Sequence, residues 1–259
     1  MNTLILAAGL GTRLKPLTDR IPKALVPVAG RTLLDWVFEK VNQPQNSVCI
    51  NVHHHADQMK DYVRQMQQRD DTEATISISD ETGHLLNTGG AIKHAWPLFT
   101  EQAPLLVHNV DILSNADILR FYHDCCDKAS HEANTEAPEA FLLVSERDTT
   151  RYLLFDDDMR LVGWTNLKTG EVKGQMGTHR LAFSGIHVIA PSLIREMDAW
   201  PDEFSIIDFY LQQCPTRRIM GVTIPGLKLL DVGKIDSLST AEEFVSTQYT
   251  TINAPKTQL

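Results

Sequence analysis

The sequence lacks any apolar run long enough to cross a membrane. Its first apolar run, at residues 4–8, is far shorter than the apolar core of a signal sequence, and no stretch approaches the roughly 18 apolar residues of a membrane span. We therefore expect a cytoplasmic protein with no membrane partner.

Cysteine is scarce as well. The 259 residues include four cysteines, at Cys49, Cys125, Cys126 and Cys214. Their spacing fits no metal-binding pattern, and the adjacent pair cannot easily bridge to itself. These cysteines are interpreted as buried thiols in a reducing compartment.

Positive charge is in deficit, with a formal net charge of -9. Because nucleic-acid binding depends on clustered lysine and arginine, no nucleic-acid partner is expected. A bound phosphate must instead be held locally. Cations gather near the N-terminus, with no acid before Asp19, and this segment is the predicted polyphosphate site; its basic residues are Arg13, Lys15, Arg20, Lys23 and Arg31.

Strand and helix patterns alternate along the chain. The strands are predicted at residues 3–8, 47–52, 74–79, 104–107, 140–145, 153–156, 161–164, 183–189 and 228–231. The helices are predicted at residues 32–41, 56–68, 89–96 and 191–198, from about 205, and at 237–247. This order is typical of a three-layer α/β fold with a doubly wound, mostly parallel sheet that binds ligands at the carboxyl ends of its strands. Residues 128–138 are predicted to form a surface loop, and Asp156–Asp158 the tip of a hairpin.

A glycine loop follows the first predicted strand. It reads Leu6-Ala-Ala-Gly-Leu-Gly-Thr-Arg-Leu-Lys-Pro-Leu-Thr18, and Pro22-Lys-Ala-Leu-Val-Pro27 comes soon after. Glycines after a buried strand let backbone N–H groups approach phosphate oxygens, and Arg13 and Lys23 would add full charges. Leu14 breaks the Gly-x-Gly-x-x-Gly pattern of a dinucleotide oxidoreductase, and no Gly-Lys-Ser/Thr follows as in a P-loop.

This loop resembles the signature of the sugar-1-phosphate nucleotidylyltransferases, Gly-x-Gly-Thr-Arg-Leu-x-Pro-Leu-Thr followed by Pro-Lys-x-Leu-x-Pro. The resemblance implies a nucleoside triphosphate and a sugar 1-phosphate as partners. It implies catalytic roles for Arg13, at the transferring phosphoryl group and departing pyrophosphate, and for Lys23, at the phosphates of both substrates. The nucleotide-binding residues that it implies are Leu6, Ala8, Gly9, Gly11, Thr12, Arg13, Thr88 and Gly89.

A second motif, Leu86-Asn-Thr-Gly-Gly-Ala-Ile92, lies at a predicted strand-to-helix junction. Gly89 and Gly90 would let a flat ligand lie against the backbone. The alternative is purely structural, a glycine-rich helix start with Thr88 as its cap. The motif resembles the N-acetylmuramate-1-phosphate uridylyltransferase and mannose-1-phosphate guanylyltransferase-like branches of the family, in which this element contacts base and ribose.

Two acidic residues end apolar strands. Asp111 closes Leu105-Leu-Val-His-Asn-Val-Asp111, where the family usually has Gly-Asp, and a carboxylate opposite a phosphate loop suits Mg²⁺. The resemblance implies that Asp231 is the second Mg²⁺ ligand and that it meets Asp111 across the carboxyl edge of the sheet. His108 is interpreted as structural, because a sugar phosphate is already ionised and needs no base.

The sugar site is the least defined part. Phe183-Ser-Gly-Ile186 resembles a family strand whose small residues, here Ser184 and Gly185, face the sugar ring, and Asn166 is a candidate polar ligand. Gly185 could equally serve packing, and Asn166 a turn. The consecutive histidines at 53–55 are interpreted as incidental or as packing at the sheet end.

The resemblance implies one nucleotidyltransferase domain over residues 1–248, with a nucleotide-binding part at about 1–115 and a sugar-binding part at about 116–248. Residues 249–259 are predicted to be a flexible tail. The expected reaction is in-line attack by the sugar 1-phosphate on the α-phosphorus of the triphosphate. A phosphocholine cytidylyltransferase and a non-catalytic nucleotide-sugar-sensing subunit remain alternatives, and the base, the sugar and the oligomeric state stay open.

Overall fold

A ten-stranded mixed sheet organises the part of the chain that the structure describes, residues 1–99, 102–131 and 137–249 of a computed structural model. The strands are β1 (Asn2–Leu6), β2 (Pro27–Val28), β3 (Arg31–Thr32), β4 (Ser47–Val52), β5 (Thr75–Asp80), β6 (Leu105–Asn109), β7 (Ile112–Ser114), β8 (Ala140–Ser145), β9 (Arg151–Phe155), β10 (Leu161–Asn166), β11 (Glu171–Gly174), β12 (His179–Ile189), β13 (Ile219–Val222) and β14 (Leu229–Asp231). The helices are α1 (Leu33–Glu39), α2 (Ala56–Gln67), α3 (Asn87–Ala95), α4 (Ile118–His131), α5 (Pro191–Arg195), α6 (Ile206–Gln213) and α7 (Ser237–Gln248).

One half of the sheet is parallel. Strands β5, β4, β1 and β6 lie side by side in that order, and every pairing among them is parallel. The chain winds from β1 outward to β5 and then returns to the other side of β1 as β6. The winding direction therefore reverses between β1 and β6, and the carboxyl ends of these two strands frame the crevice in which such sheets bind ligands.

Strand β12 joins the parallel half to an antiparallel half. It runs antiparallel to β6, β8 and β9, and its register with β8 shifts between Phe183 and His187. Gly185 lies at this irregularity with a φ of 78°, a left-handed conformation that favours glycine. The bend lets the first residues of β12 carry β9, β10 and β11 away from the parallel half, while β8 and β13 extend it.

Apolar side chains fill both faces of the sheet. One face is covered by a cluster that includes Leu34, Met59 and Val245, and the other by a cluster that includes Ile92, Phe209 and Leu193. Helices therefore lie on both sides of the sheet, and the predicted three-layer, doubly wound α/β class is confirmed.

Helix α4 corrects the sequence analysis. Its buried residues Ile118, Phe121, Tyr122 and Cys125 have helical spacing, yet this helix was not predicted. Residues 128–131 belong to it, so the first part of the predicted loop at 128–138 is wrong, and 132–136 lie outside the described residues.

Of the predicted tail at 249–259, the structure describes the first residue. Tyr249 is buried with its ring edge-on to Trp36 at 4.9 Å, and residues 250–259 lie outside the described part.

The four cysteines are free, three of them buried and Cys126 partly buried, as expected. Among the described helices, none is both long and apolar enough to span a bilayer.

Candidate active site

The pairing of β7 with β14 brings two distant carboxylates together. Asp231 pairs with Ile112 in the register of these strands, and the Val232 backbone N–H donates to the Asp111 carbonyl oxygen at 2.8 Å. Asp111 and Asp231 thus stand side by side, although 120 residues separate them in sequence. Lys23 forms an ion pair with the Asp111 carboxylate, so three residues singled out from the sequence meet here.

The second carboxylate is poorly neutralised. Burial raises the pKa of Asp231, and the negative charge of Asp111 raises it further, against the opposing charges of Lys23, Arg13 and Arg147. Its Oδ1 atom is buried and accepts no hydrogen bond from the described residues. Two adjacent carboxylates, one with an unpartnered oxygen, have the oxygen chemistry that a hard divalent cation prefers.

Gly233 leaves room for Asp231 and Arg13. A Cβ atom at this position would lie 2.6 Å from Asp231 Oδ1 and 2.7 Å from Arg13 Nη2. The glycine two residues after the acid therefore allows the carboxylate and the guanidinium to approach the same point. This contact explains the Asp-Val-Gly sequence in steric terms.

The glycine loop is held in shape by its own backbone. Gly11 has a φ of 62°, and its carbonyl accepts hydrogen bonds from Leu14 N and Thr18 Oγ1, both at 2.8 Å. Thr12 and Arg13 begin the short 3-10 turn that Leu14 anchors in the core. Gly9 is exposed, and a Cβ there would meet nothing within 4 Å, so a ligand can approach its backbone.

A buried Asn51–Glu81 pair supports the start of this loop. Asn51 Oδ1 accepts hydrogen bonds from Ala7 N at 2.6 Å and Ala8 N at 3.2 Å, and its Nδ2 donates to Glu81 Oε1 at 2.8 Å. Glu81 also accepts from Leu86 N, and burial raises the pKa of its carboxyl. Neither residue was predicted from the sequence; the available signal was a polar residue inside one predicted strand and an acid just after another.

We expect Asn51→Ala to leave the Ala7 and Ala8 N–H groups unpaired and the loop less ordered. The Michaelis constant for the nucleotide should rise about tenfold and the free energy of unfolding fall by about 1–3 kcal/mol. Asn42 is a matched control, since its Oδ1 also accepts two backbone hydrogen bonds, from Glu73 and Ala74, away from the site. If Asn42→Ala raised the Michaelis constant equally, a specific role for Asn51 would be excluded.

A cavity of about 310 Å³ opens where β1 and β6 end. Six residues predicted from the sequence contribute to its wall: Leu6, Ala8, Gly9, Lys23, Thr88 and Asp111. Asn51, Glu81, Asn109 and Glu203 also line it. Gly11, Thr12 and Arg13 lie further along the loop, and Asp231 lies beside Asp111 on β14. The cavity therefore opens between the start of the glycine loop, Asp111 and the start of helix α3.

Other parts of the chain occupy the space beside Gly89 and Gly90. A Cβ atom at Gly89 would overlap the Phe204 ring, and one at Gly90 would overlap the Asp202 carbonyl oxygen. Gly89 N also donates to Phe204 O at 2.9 Å. These contacts fit the structural alternative, in which both glycines allow helix α3 to pack closely, while a nucleotide-binding role for Gly89 stays a prediction.

Thr88 is not a helix cap either. Helix α3 begins at Asn87 with Leu86 as its N-cap, and Thr88 lies inside the helix. Thr88 Oγ1 accepts a hydrogen bond from Ile206 N at 3.0 Å, which ties α3 to the first residue of α6. A nucleotide-binding role for Thr88 stays a prediction, supported by its place in the cavity wall.

Gly89→Ala should therefore destabilise the fold. Because its methyl group would meet the Phe204 ring, we expect the free energy of unfolding to fall by about 1–3 kcal/mol in chemical denaturation. Gly83→Ala is the control, since a Cβ there would meet nothing within 4 Å. An unchanged stability with weaker nucleotide binding would instead support a ligand role for Gly89.

The three residues predicted to bind the sugar make other contacts. Ser184 is 1% exposed, and its hydroxyl accepts a hydrogen bond from Ile186 N. A Cβ at Gly185 would lie 2.5 Å from Asn109 Nδ2, and Asn166 Oδ1 accepts from Lys168 N at 3.0 Å in a turn. These contacts fit the packing alternative for Gly185 and the turn alternative for Asn166, while sugar contact by the three residues stays a prediction.

A second cavity, of about 430 Å³, lies beside the antiparallel half of the sheet, between β9, β10, β12 and α6. Residues 203–207 contribute to both cavities, since Glu203 lines the first whereas Ser205 and Ile207 line the second. Arg147 lines it as well, and the charge of Arg147 acts on Asp231. Each cavity therefore has a lining residue whose charge acts on Asp231, Lys23 in the first and Arg147 in the second. The basic residues of the second cavity were not predicted from the sequence.

The histidines agree with their structural interpretation. His108 is fully buried beside the Asn109 carbonyl, and burial lowers its pKa to about 4, so it is neutral at neutral pH. His54 and His55 direct Nε2 toward the Thr18 carbonyl at 3.3 and 3.2 Å. Within the described ranges, no group of three or more His, Cys, Asp or Glu side chains could hold a metal ion.

Curated relatives cover most of the chain. The N-acetylmuramate alpha-1-phosphate uridylyltransferase of Caulobacter vibrioides is 31% identical over 230 residues, 86% of this chain and 88% of the relative. The enzyme of the same name from Neisseria meningitidis serogroup B is 29% identical over 246 residues, 93% of this chain and 97% of the relative.

Solved structures share the fold. A UDP-glucose pyrophosphorylase complexed with UDP-glucose matches with a TM-score of 0.74 and 16% identity, over 95% of this chain and 98% of that one. The family model "Nucleotidyl transferase" matches residues 2–160, which include the glycine loop and Asp111. The chain therefore belongs to the nucleotidyl transferase family, and it is a sugar-1-phosphate nucleotidyltransferase.

Proposed function

We propose that the protein transfers UMP from UTP to N-acetylmuramate α-1-phosphate, forming a UDP-sugar and pyrophosphate. The two curated relatives that cover most of the chain are named for this reaction. The observation that carries the proposal is the carboxylate pair, Asp111 and Asp231, at the mouth of the crevice and beside the glycine loop.

We further propose that Asp111 and Asp231 hold Mg²⁺. The residues fit this ion because Asp231 Oδ1 is buried and receives no hydrogen bond from the described part of the chain, and because the charge of Asp111 disfavours the ionised form of Asp231. Mg²⁺ commonly binds through one or two carboxylates together with substrate phosphates. When bound, it supplies positive charge that offsets the negative charge of the reacting phosphates.

The cations of the chain would position both substrates. Lys23 contacts Asp111 and lines the first cavity, so it can reach phosphates bound there. Arg13 would bind the pyrophosphate as it leaves. The N–H groups of the glycine loop add fixed partial charges. Because two anions must approach each other, these groups would lower the barrier by charge neutralisation and positioning.

The reaction needs no general base. An oxygen of the sugar phosphate attacks the α-phosphorus, the bond from the α-phosphorus to the bridging oxygen of the pyrophosphoryl group breaks, and pyrophosphate leaves with the electron pair. The attacking oxygen is already ionised. The neutral, fully buried His108 is consistent with this proton balance.

A substrate grid tests the proposal. Pyrophosphate release would be measured with Mg²⁺ for ATP, GTP, CTP, UTP and dTTP against several sugar 1-phosphates and phosphocholine. We expect UTP with N-acetylmuramate 1-phosphate to exceed the other pairs at least about tenfold in kcat/KM. Preference for CTP and phosphocholine would replace the proposal with the cytidylyltransferase alternative, and nucleotide binding without turnover would favour the sensing subunit.

A further inference from the structure

The lining of the second cavity, between β9, β10, β12 and α6, carries more positive than negative charge. Its wall includes Arg147, Arg151 and Lys173 but one acid, Asp208, although the chain as a whole has a net charge of -9. Lys173 Nζ lies 3.0 Å from Asp208 Oδ1, so these two charges offset each other. Within the described ranges, neither arginine forms an ion pair with a carboxylate. Two guanidinium groups are therefore available to an anionic ligand.

The two arginines differ in their surroundings. Arg147 is half-buried, donates from Nη2 to Phe183 O at 3.0 Å, and is close enough to Asp231 for its charge to act there. Since a sugar 1-phosphate must bring its phosphate close to the carboxylate pair, Arg147 is the arginine suited to that phosphate. Arg151 begins β9, and its side chain is exposed within the cavity wall. It is free to meet a second anionic group.

The rest of the wall suits a sugar ring. Tyr152, Trp164 and Phe183 present aromatic surface, while Thr149 and Ser205 add short polar side chains. Binding sites for small molecules commonly combine such apolar surface with a few polar groups that fix orientation. A sugar that carries two anionic groups would match the two arginines.

We propose that this cavity is the sugar subsite and that Arg151 recognises a carboxylate on the sugar, so that the enzyme selects acidic sugar 1-phosphates. A guanidinium can bind a carboxylate through two parallel hydrogen bonds, which a neutral hydroxyl cannot replace. The proposal rests on the proposed function, in which the lactyl ether of N-acetylmuramate supplies the carboxylate.

A pair of substrates isolates this contact. N-acetylmuramate 1-phosphate and N-acetylglucosamine 1-phosphate differ by the lactyl group alone, so their kcat/KM ratio reports recognition of the carboxylate. We expect Arg151→Gln to lower kcat/KM for the acidic sugar about 10- to 100-fold, mainly through KM, and for the neutral sugar less than about threefold. Arg151→Lys should recover part of the preference. Arg64→Gln removes one exposed positive charge from α2 as the control.

The possible outcomes distinguish a failure of the Arg151 proposal from a failure of the proposed reaction. An equal loss on both sugars, or no loss on either, would overturn the role of Arg151 while leaving uridylyl transfer intact. Use of an acidic sugar with a triphosphate other than UTP, with selectivity lost in Arg151→Gln, would support the subsite and overturn the proposed nucleotide. A wild-type enzyme that accepts only neutral sugars would overturn both.

Discussion

Replacing Asp111 with asparagine is expected to lower kcat for pyrophosphate release about 10³-fold or more. The substitution keeps the size of the side chain but removes the charge that pairs with Lys23 and that would hold Mg²⁺. Lys23 would keep its charge without the partner that fixes its position beside the phosphates. Both effects remove electrostatic stabilisation from the reaction, and losses of this size are typical of such groups.

The comparison needs a matched acid and a check of folding. Asp117→Asn removes an exposed carboxylate just before α4 and should change kcat less than about twofold. Because the Lys23–Asp111 pair is largely shielded from solvent, Asp111→Asn should also reduce the free energy of unfolding, by about 1–3 kcal/mol. A folded Asp111→Asn protein that keeps more than a tenth of the wild-type kcat would exclude Asp111 from the machinery.

Asp231→Asn should lower kcat about 10²-fold or more and yet stabilise the protein in the absence of metal. Burial and the charge of Asp111 raise the pKa of Asp231 above its ordinary value of 3.8, so the native state disfavours the ionised form. The wild type therefore loses stability relative to the unfolded chain as the pH rises from that ordinary value through the raised one. Asparagine removes this penalty at neutral pH and makes no difference below the ordinary value.

Chemical denaturation at two pH values, with and without Mg²⁺, tests the predicted direction of this stability change. Without Mg²⁺ at pH 7, Asp231→Asn should unfold at higher denaturant than the wild type, and the gap should close in acid. Adding Mg²⁺ should stabilise the wild type and leave the variant nearly unchanged, because a ligand stabilises only the state that binds it. A variant less stable than the wild type at pH 7 without metal would show that Asp231 is not an under-neutralised carboxylate.

The parallel half of the fold could be predicted from sequence because its strands are short apolar runs between helices of clear periodicity. The glycine loop was recognisable for a similar reason, since its residues are consecutive. The approach of Asp231 to Asp111 depends on the β7–β14 pairing, which no local pattern encodes, and only the family resemblance indicated it.

Glycine roles were harder to predict. The sequence shows that no side chain occupies the space beside Gly89 and Gly90, but not whether a ligand or the chain fills it, and here Phe204 and Asp202 do. Asn51 and Glu81 were not predicted because the sequence does not show which groups a buried polar side chain contacts. Arg147 and Arg151 were not predicted because their cavity is formed by the bend of β12 and the antiparallel pairings around it, which no local sequence pattern shows.

Uridylyl transfer at the α-phosphorus is tested most directly by following labelled UTP in the presence of N-acetylmuramate 1-phosphate and Mg²⁺. Label at the α-phosphorus should appear in the UDP-sugar and label at the γ-phosphorus in pyrophosphate, with both products lost on chelation of the metal and in Asp111→Asn. Release of α-label as UMP whether or not the sugar is present, or transfer of γ-label to the sugar phosphate, would contradict the proposed reaction.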